Sequence, residues 1–397
     1  MKGRILFLDQ GETLGGAERY LIDFLNSLSV QEIQKLEPLL LGGHNEKYKQ
    51  FLRVPIETRA FSFPSVRGNI FKKILSLFPL LLAAYQIKRI VKKYNSEVVC
   101  SNTPRTHFVM LLSRRVFGLN VRWVAIIHDF SIPGFLLKRI GTWCDTLIAN
   151  SLPARQHAHK ILSPSVREKI RIVENALDFS HIPPAAPPQS LKNIVMLGRI
   201  DPQKGQMFAL QAAKILQEKK CNVEFFIVGS PFAKDKRTMD YAGNVHQFAQ
   251  HNHLDHVHFL PETDTPFEAI GKADCVLVLP TKPETFGRIV IEALSLGKLV
   301  LAFDETGPRE ILQSYNYFLN QKTITGQNIH GFSLPISTQS LLVEKQNAES
   351  LASTIHFFYS NPGRMEGFTI FARKFTEEYF SLTETKKRLM SILVEKN

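Results

Sequence analysis

The chain has 397 residues, 44% of them hydrophobic and 21% charged, which excludes a disordered chain and exceeds the size at which one core keeps growing, so two domains are expected. Its net charge of +13 is unevenly placed: residues 1–180 hold 26 Lys and Arg against 14 Asp and Glu, and the remainder hold 23 against 22. That asymmetry points the first half at an anionic surface or partner. Four widely spaced cysteines (Cys100, Cys144, Cys221, Cys275) with no CxxC and no accompanying zinc spacing read as reduced thiols of a cytoplasmic protein. The apolar run Ile5-Leu6-Phe7-Leu8 is too short for a signal-peptide core. The stretch Ile74 to Ile87 contains Pro79 and falls short of the roughly 20 residues a bilayer span requires, so no transmembrane helix is expected.

In chain order, the first half alternates strand-like and helix-like segments: Arg4–Leu8, Ala17–Leu28, Glu37–Gly42, a basic stretch Phe71–Tyr94, Glu97–Ser101, a helix near Phe108–Phe117, Arg122–Ile127 and Thr146–Asn150. Short apolar runs separated by helices imply βαβ units and a parallel sheet. The segment Phe179 to Lys192, with Pro183-Pro184-Ala185-Ala186-Pro187-Pro188, breaks the pattern and reads as a stiff interdomain linker. Alternation resumes with Asn193–Leu197, a helix about Gln206–Lys219, Val223–Val228, a helix near Asp240–His251, Val257–Phe259, Pro266–Gly271, Cys275–Leu279, Leu299–Phe303, Pro308–Gln313 and a helix over Ala348–Ser360. Two doubly wound Rossmann-like domains facing each other across a cleft are expected: 1–178 and 193–370, joined by 179–192.

The most informative segment follows the apolar run Cys275–Pro280: Pro283-Glu284-Thr285-Phe286-Gly287-Arg288, then Ile289-Val290-Ile291-Glu292-Ala293-Leu294. A Gly just before an apolar helix lets the backbone approach a ligand and leaves the first helical N–H groups for a phosphate. Glu284 in the loop and Glu292 more than a turn into the helix are too far apart to share a proton. They read either as hydroxyl acceptors on two sides of an anion site or as a solvated loop acid and an ordinary helical Glu.

Arg199 and Lys204, in Gly198-Arg199-Ile200-Asp201-Pro202-Gln203-Lys204-Gly205, lie on one strand-end loop where they could bracket a diphosphate; taken singly they read as surface cations. Lys204-Gly205 is not a P-loop, since the glycine-rich run and the following Ser/Thr are absent. Gly15-Gly16 before an amphipathic helix offers N–H groups to an anion or a sugar hydroxyl, or simply makes the helix start. His128-Asp129, at the carboxyl end of Trp123–Ile127, stands where open α/β sheets place ligands, or caps the strand. Asn150-Ser151 and Asn175-Ala176-Leu177-Asp178 are strand-end turns of the same kind.

In this order, Gly15-Gly16-Ala17-Glu18, His128-Asp129, Asn150-Ser151, Asn175-Ala176-Leu177-Asp178, Gly198-Arg199 with Lys204-Gly205, Glu284-Thr285-Phe286-Gly287 with Glu292-Ala293, and Gly307-Pro308-Arg309-Glu310 resemble the family 4 glycosyltransferases. The resemblance spans nearly the whole chain and implies a C-terminal helix, about 371–397, that packs back on the first domain. It implies the GT-B fold of two facing Rossmann-like domains and a retaining transfer of sugar from a nucleotide-sugar donor, UDP being the family's commoner nucleotide and GDP the alternative. It also implies that Arg199 and Lys204 hold the donor diphosphate, that Glu292 binds the ribose hydroxyls, and that Glu284 meets the transferred sugar. Gly16, beside Gly15, would approach the reacting centre and His128 would stand near the donor sugar; Thr285, Phe286, Gly287 and Arg288 complete the donor-binding set.

Three positions depart from the family pattern: Ala176 where Gly is usual after Asn175, Asn347 where an acid is usual, and Thr306 where a second Gly often precedes Gly307. No metal and no cofactor are expected, because the cations and the helix start can stabilise the leaving group in a front-face displacement. The carboxylate pair that a retaining glycosidase needs is not legible. A glycan or lipid-linked acceptor suits the basic, locally apolar first domain. Phe71–Tyr94 reads either as a segment lying on an anionic membrane, at the cytoplasmic face, or as a buried helix with a solvated basic end. The competing classes are a sugar-nucleotide epimerase and a basic membrane or nucleic-acid binding protein; no zinc finger, aromatic RNA-binding signature or basic heptad array supports nucleic acid.

Overall fold

The computed structural model describes residues 4–11, 15–42, 46–64, 77–184, 187–324 and 341–395. Two compact units are present: Met1–Ala176 with Leu382–Asn397, and Leu177–Ser381.

The first unit holds a seven-stranded sheet of β1 (Arg4–Leu8), β2 (Leu39–Gly42), β3 (Glu57–Ala60), β4 (Ser96–Ser101), β5 (Arg122–Ile127), β6 (Thr146–Ala149) and β7 (Ile170–Ile172). Their order is β3-β2-β1-β4-β5-β6-β7, with parallel pairings throughout. The order reverses direction between β1 and β4, which makes their carboxyl ends the switch point where such sheets bind ligands.

Successive side chains of a strand face opposite ways, and the two cores of this unit follow that alternation. Leu6, Leu8, Val99, Trp123, Ala125 and Ile127 fill one face, while Ile5, Phe7, Val98, Cys100, Val124 and Ile126 fill the other. The helix Leu77–Lys93 covers the first face with Leu80, Ala83, Ala84, Ile87 and Val91. Residues 71–76 of the expected basic stretch lie outside the described residues. Among the described residues, no helix is long and apolar enough to cross a membrane.

The second unit carries β8 (Asn193–Leu197), β9 (Glu224–Val228), β10 (Val257–Leu260), β11 (Cys275–Val278), β12 (Leu299–Phe303) and β13 (Leu342–Val343) in the order β10-β9-β8-β11-β12-β13, again parallel. Every residue of β11 and β12 is buried, as expected for strands covered on both faces. The four cysteines are free and buried.

Two expectations change here. Residues 179–184 and 187–192 are part of the second unit: Ile182 and Leu191 are buried in its core, and the Arg373 guanidinium donates to the carbonyls of Ile182 and Pro183. Proline stiffness marked the segment as extended, but its two buried aliphatic side chains decided where it lies. The helix expected over 371–397 is broken at Phe380 and Ser381 into Ala372–Tyr379, which belongs to the second unit, and Leu382–Val394, which belongs to the first. Where the first helix ends, buried Phe380 packs edge-to-face with Phe286 and Phe375.

The helix Leu382–Val394 inserts Leu389, Ile392 and Leu393 into the core face that also holds Phe7, Leu21 and Phe24. Lys386 ties it to the carbonyl of Ser27 and to Glu32. Leu389 is fully buried, so Leu389→Ala should cost about 2–5 kcal/mol by lost transfer energy and cavity formation. Chemical unfolding with an unshifted midpoint in that variant would contradict this packing.

Candidate functional site

In the second unit the site begins where β8 ends. The chain leaves the strand at Gly198, passes Arg199 and Asp201, makes a short 3-10 turn over Pro202–Lys204 and enters the helix Gln206–Glu218 through Gly205. Gly205 has φ +79°, and a Cβ there would lie 2.2 Å from the Leu279 carbonyl oxygen. The loop therefore touches the end of β11 backbone to backbone. Thr281 reinforces the contact, its N–H donating to Gln203 O (3.0 Å) and its hydroxyl to Pro202 O (2.9 Å).

This seam delivers Lys204 to the loop after β11, where its Nζ lies 2.9 Å from Glu284 Oε1, both side chains about a third exposed. Arg199 is more exposed, with Nε 3.7 Å from Asp201 Oδ2. Burial opposes ionisation of Asp201, yet the Gln203 N–H, the Arg237 guanidinium and Arg199 together hold it below the ordinary carboxylate range. Arg237 grips both Asp201 oxygens at 3.2 and 3.0 Å, so the acid is anchored from the helix Lys236–His251 and holds the loop in turn.

The loop carrying Glu284 is fixed through its main chain. The Glu284 N–H donates to Thr306 Oγ1 (3.1 Å), while the Glu284 carbonyl accepts from Thr306 Oγ1 (2.6 Å) and from the Gly307 N–H (2.8 Å). Gly287, with φ +81°, begins the helix Arg288–Ser295 with no side-chain cap, so the positive end of that helix dipole stands at the loop. A depression lined by Leu197, Lys204, Leu279, Pro280, Glu284 and Gly287 gathers these groups.

The other residues of the donor-binding expectation lie in the same loop and in the helix Arg288–Ser295. Phe286 is buried against Phe380, and Thr285 is buried as well. Glu292 is buried too and accepts Arg288 Nε at 2.7 Å, one turn earlier on the same helix. Arg288 is thus directed at Glu292 and Phe286 at the core. Arg199 and Glu292 do not line the depression that Lys204, Glu284 and Gly287 share.

In the first unit, Gly15 precedes the helix Gly16–Asn26, and its N–H donates to Glu18 Oε2 at 2.9 Å. Gly16 has no left-handed φ, and a Cβ there would meet no described heavy atom within 4 Å. Its missing side chain answers no requirement of the surrounding fold. His128 sits in a polar network at the ends of β1, β4 and β5. Asn102 Nδ2 donates to Asp9 Oδ2 (2.6 Å) and to the Ala17 carbonyl (3.0 Å), so Asn102 Oδ1 must be the atom facing His128 Nε2 at 2.7 Å. His128 therefore donates through Nε2. Burial, reinforced by His107, pushes His128 down to about 3, so it is neutral at physiological pH. Asp9, Asn102 and Thr306 carry much of this geometry without having stood out in the sequence; the position of Asp9 directly after the first strand was the available signal.

Among the described residues, no three His, Cys, Asp or Glu side chains converge to hold a metal ion.

The solved structure of Anabaena HepE in complex with UDP and glucose superposes on this chain with a TM-score of 0.77 at 20% identity, over 99% of this chain and all of that one. At that identity the likeness establishes a shared fold, and the two parallel-sheet units are those of the GT-B glycosyltransferases. Residues 14–181 match the model described as Glycosyltransferase Family 4, and residues 181–375 match Glycosyl transferases group 1. The chain belongs to the family 4-type glycosyltransferases. It is similar to an uncharacterized glycosyltransferase of Methanocaldococcus jannaschii, at 23% identity over 64% of this chain and 71% of the relative. A lipopolysaccharide 1,2-N-acetylglucosaminetransferase of Salmonella typhimurium is 31% identical over 30% of this chain and 32% of that enzyme.

Burial and the neighbouring Asp9 charge push Glu18 from the ordinary 4.5 up to about 7, against the pull of the Gly15 N–H. A carboxyl raised on folding contributes stability below about 4.5 that is lost as pH climbs through about 7. Glu18→Gln keeps an acceptor for the Gly15 N–H and carries no charge. It should raise Tm relative to wild type more at pH 8 than at pH 5, and equal shifts at both pH values would contradict the raised carboxyl.

Proposed function

We propose that this glycosyltransferase moves a sugar, with retention at the anomeric carbon, from a nucleoside-diphosphate sugar to a glycan or lipid-linked acceptor in cell-surface polysaccharide or glycolipid assembly. The observation that carries the reading is the Lys204–Glu284 pair beside the uncapped helix start at Gly287. A cation and the positive end of a helix at one strand end suit a diphosphate, and a carboxylate next to them suits sugar hydroxyls. UDP is the favoured nucleotide, supported by the UDP and glucose held by HepE, with GDP the alternative. The lipopolysaccharide transferase supports an envelope glycan as acceptor.

In this reading the bond between the anomeric carbon and the diphosphate oxygen breaks while the acceptor oxygen bonds to the same face of that carbon. The acceptor's hydroxyl proton passes to the departing diphosphate. Lys204, Arg199 and the Gly287 helix start meet the charge that builds on the leaving group, in place of a metal or cofactor. Glu284 holds the sugar. Gly16 leaves room for a ligand in the first unit, and neutral His128 offers hydrogen bonding without added charge.

The reading extends to an anionic membrane surface at the cytoplasmic face. On the helix Leu77–Lys93, Phe78, Leu82 and Tyr85 share one exposed face at helical spacing, and Arg89, Lys92 and Lys93 are exposed toward its end. Apolar anchors followed by cations fit the headgroup region of anionic lipid.

Lys204→Ala should lower kcat about 100- to 1000-fold with the fold intact, and wild-type turnover would sink the assignment. The anomeric configuration of the product, read by NMR, tests retention. An isomerised nucleotide sugar with no new glycoside would mean epimerisation instead. The protein should pellet with phosphatidylglycerol vesicles at low salt and less so at high salt; no pelleting at low salt would refute the membrane reading.

A further inference from the structure

From the hydrogen bonds between the loop after β11 and the start of the helix Thr306–Ile324 that follows β12, we infer that Thr306 is a positioning residue for sugar transfer, acting through its hydroxyl on the main chain of Glu284. The inference rests on the donor-site reading of Glu284 given above. Thr306 Oγ1 both accepts from the Glu284 N–H (3.1 Å) and donates to the Glu284 carbonyl (2.6 Å), satisfying the two main-chain groups of one residue with one side-chain atom. The Gly307 N–H adds a second bond to the same carbonyl at 2.8 Å. A Cβ on Gly307 would lie 2.5 Å from the Phe286 nitrogen, so the two loops are also in direct backbone contact.

Thr306 is itself held from behind. Its N–H donates to Glu305 Oε1 at 3.1 Å, and Glu305 forms an ion pair with Lys345, just beyond β13. A polar chain therefore runs Lys345, Glu305, Thr306, Glu284, Lys204. Its members follow β13, β12, β11 and β8, in the order in which those strands lie in the sheet. The sheet sets the spacing of the loops, and the Thr306 hydroxyl turns that spacing into a fixed position for Glu284. A residue without a hydroxyl at this place would leave the Glu284 N–H without its partner and the carbonyl with one bond fewer. The loop would then be free to carry the carboxylate away from Lys204.

The test uses the full-length enzyme with a nucleotide-sugar donor. Thr306→Val, which keeps the branched shape and loses the hydroxyl, should raise the donor KM about tenfold while leaving the acceptor KM unchanged. Thr306→Ser should restore wild-type constants. If the Val variant fails to fold, Thr306→Ala removes the same hydroxyl without placing a methyl against polar groups and should show the same split. On a Glu284→Gln background, loss of the hydroxyl should add little, because both changes act on the same group. Wild-type donor KM in a folded variant without the hydroxyl, or effects that multiply fully with Glu284→Gln, would overturn the inference while leaving the donor-site reading in place. Wild-type kinetics in Glu284→Gln itself would instead overturn that reading, and this inference with it.

Discussion

The second unit depends on how closely its strand-end loops can approach one another. At Gly205 and Gly307 the neighbouring atoms are main-chain atoms, the Leu279 carbonyl oxygen and the Phe286 nitrogen, which cannot swing aside as a side chain would. One contact joins the loop of β8 to the end of β11, and the other joins the loop of β12 to the same region. Everything placed around the depression follows from these two seams. Lys204 arrives because Gly205 permits the first, and Glu284 is held because Gly307 permits the second. A methyl group at either position would have to separate two backbones and would move a functional group by a distance that hydrogen bonding does not tolerate.

Charge is distributed over this frame in two grades. The Lys204–Glu284 pair is partly solvated, so either partner can be drawn to another group at modest cost, since such pairs contribute about 0–1 kcal/mol. The Arg288–Glu292 pair is nearly removed from solvent, where losing one partner costs about 3–5 kcal/mol. The first pair is therefore suited to exchanging partners, and the second to remaining in place. Asp201 sits between these grades, a buried acid gripped by two partly exposed arginines, and it keeps the Arg199 loop from drifting when ligands come and go.

The elements legible in the sequence were those whose burial is symmetrical. β8, β11 and β12 are nearly continuous apolar runs because a covered parallel strand has no solvent face, and the turn before Arg288 was visible because Gly and acids stand beside such a run. The edge strand β3, Glu-Thr-Arg-Ala, has no apolar signal; it is held by pairing with β2 and by the Arg4–Glu57 bond. β13 is two residues long and cannot announce itself. The placements of Glu292 and Phe286 escaped for a different reason. Both belong to a motif whose residue types invite a ligand, and only three-dimensional packing shows one turned to Arg288 and the other to Phe380. Equally, nothing in the order of residues links Asp9 to Asn102 and His128, which meet because β1, β4 and β5 are neighbours in the sheet.

The first unit is discontinuous in the chain, since its last helix, Leu382–Val394, is separated from the rest by the whole of Leu177–Ser381. During synthesis the second unit can therefore emerge and fold as an uninterrupted segment, while the first waits with the core around Phe7, Leu21 and Phe24 incomplete. The order of completion inverts the order of translation. A chain lacking that helix would carry an uninterrupted second unit beside a first unit still exposing an apolar face, a species that chaperones recognise.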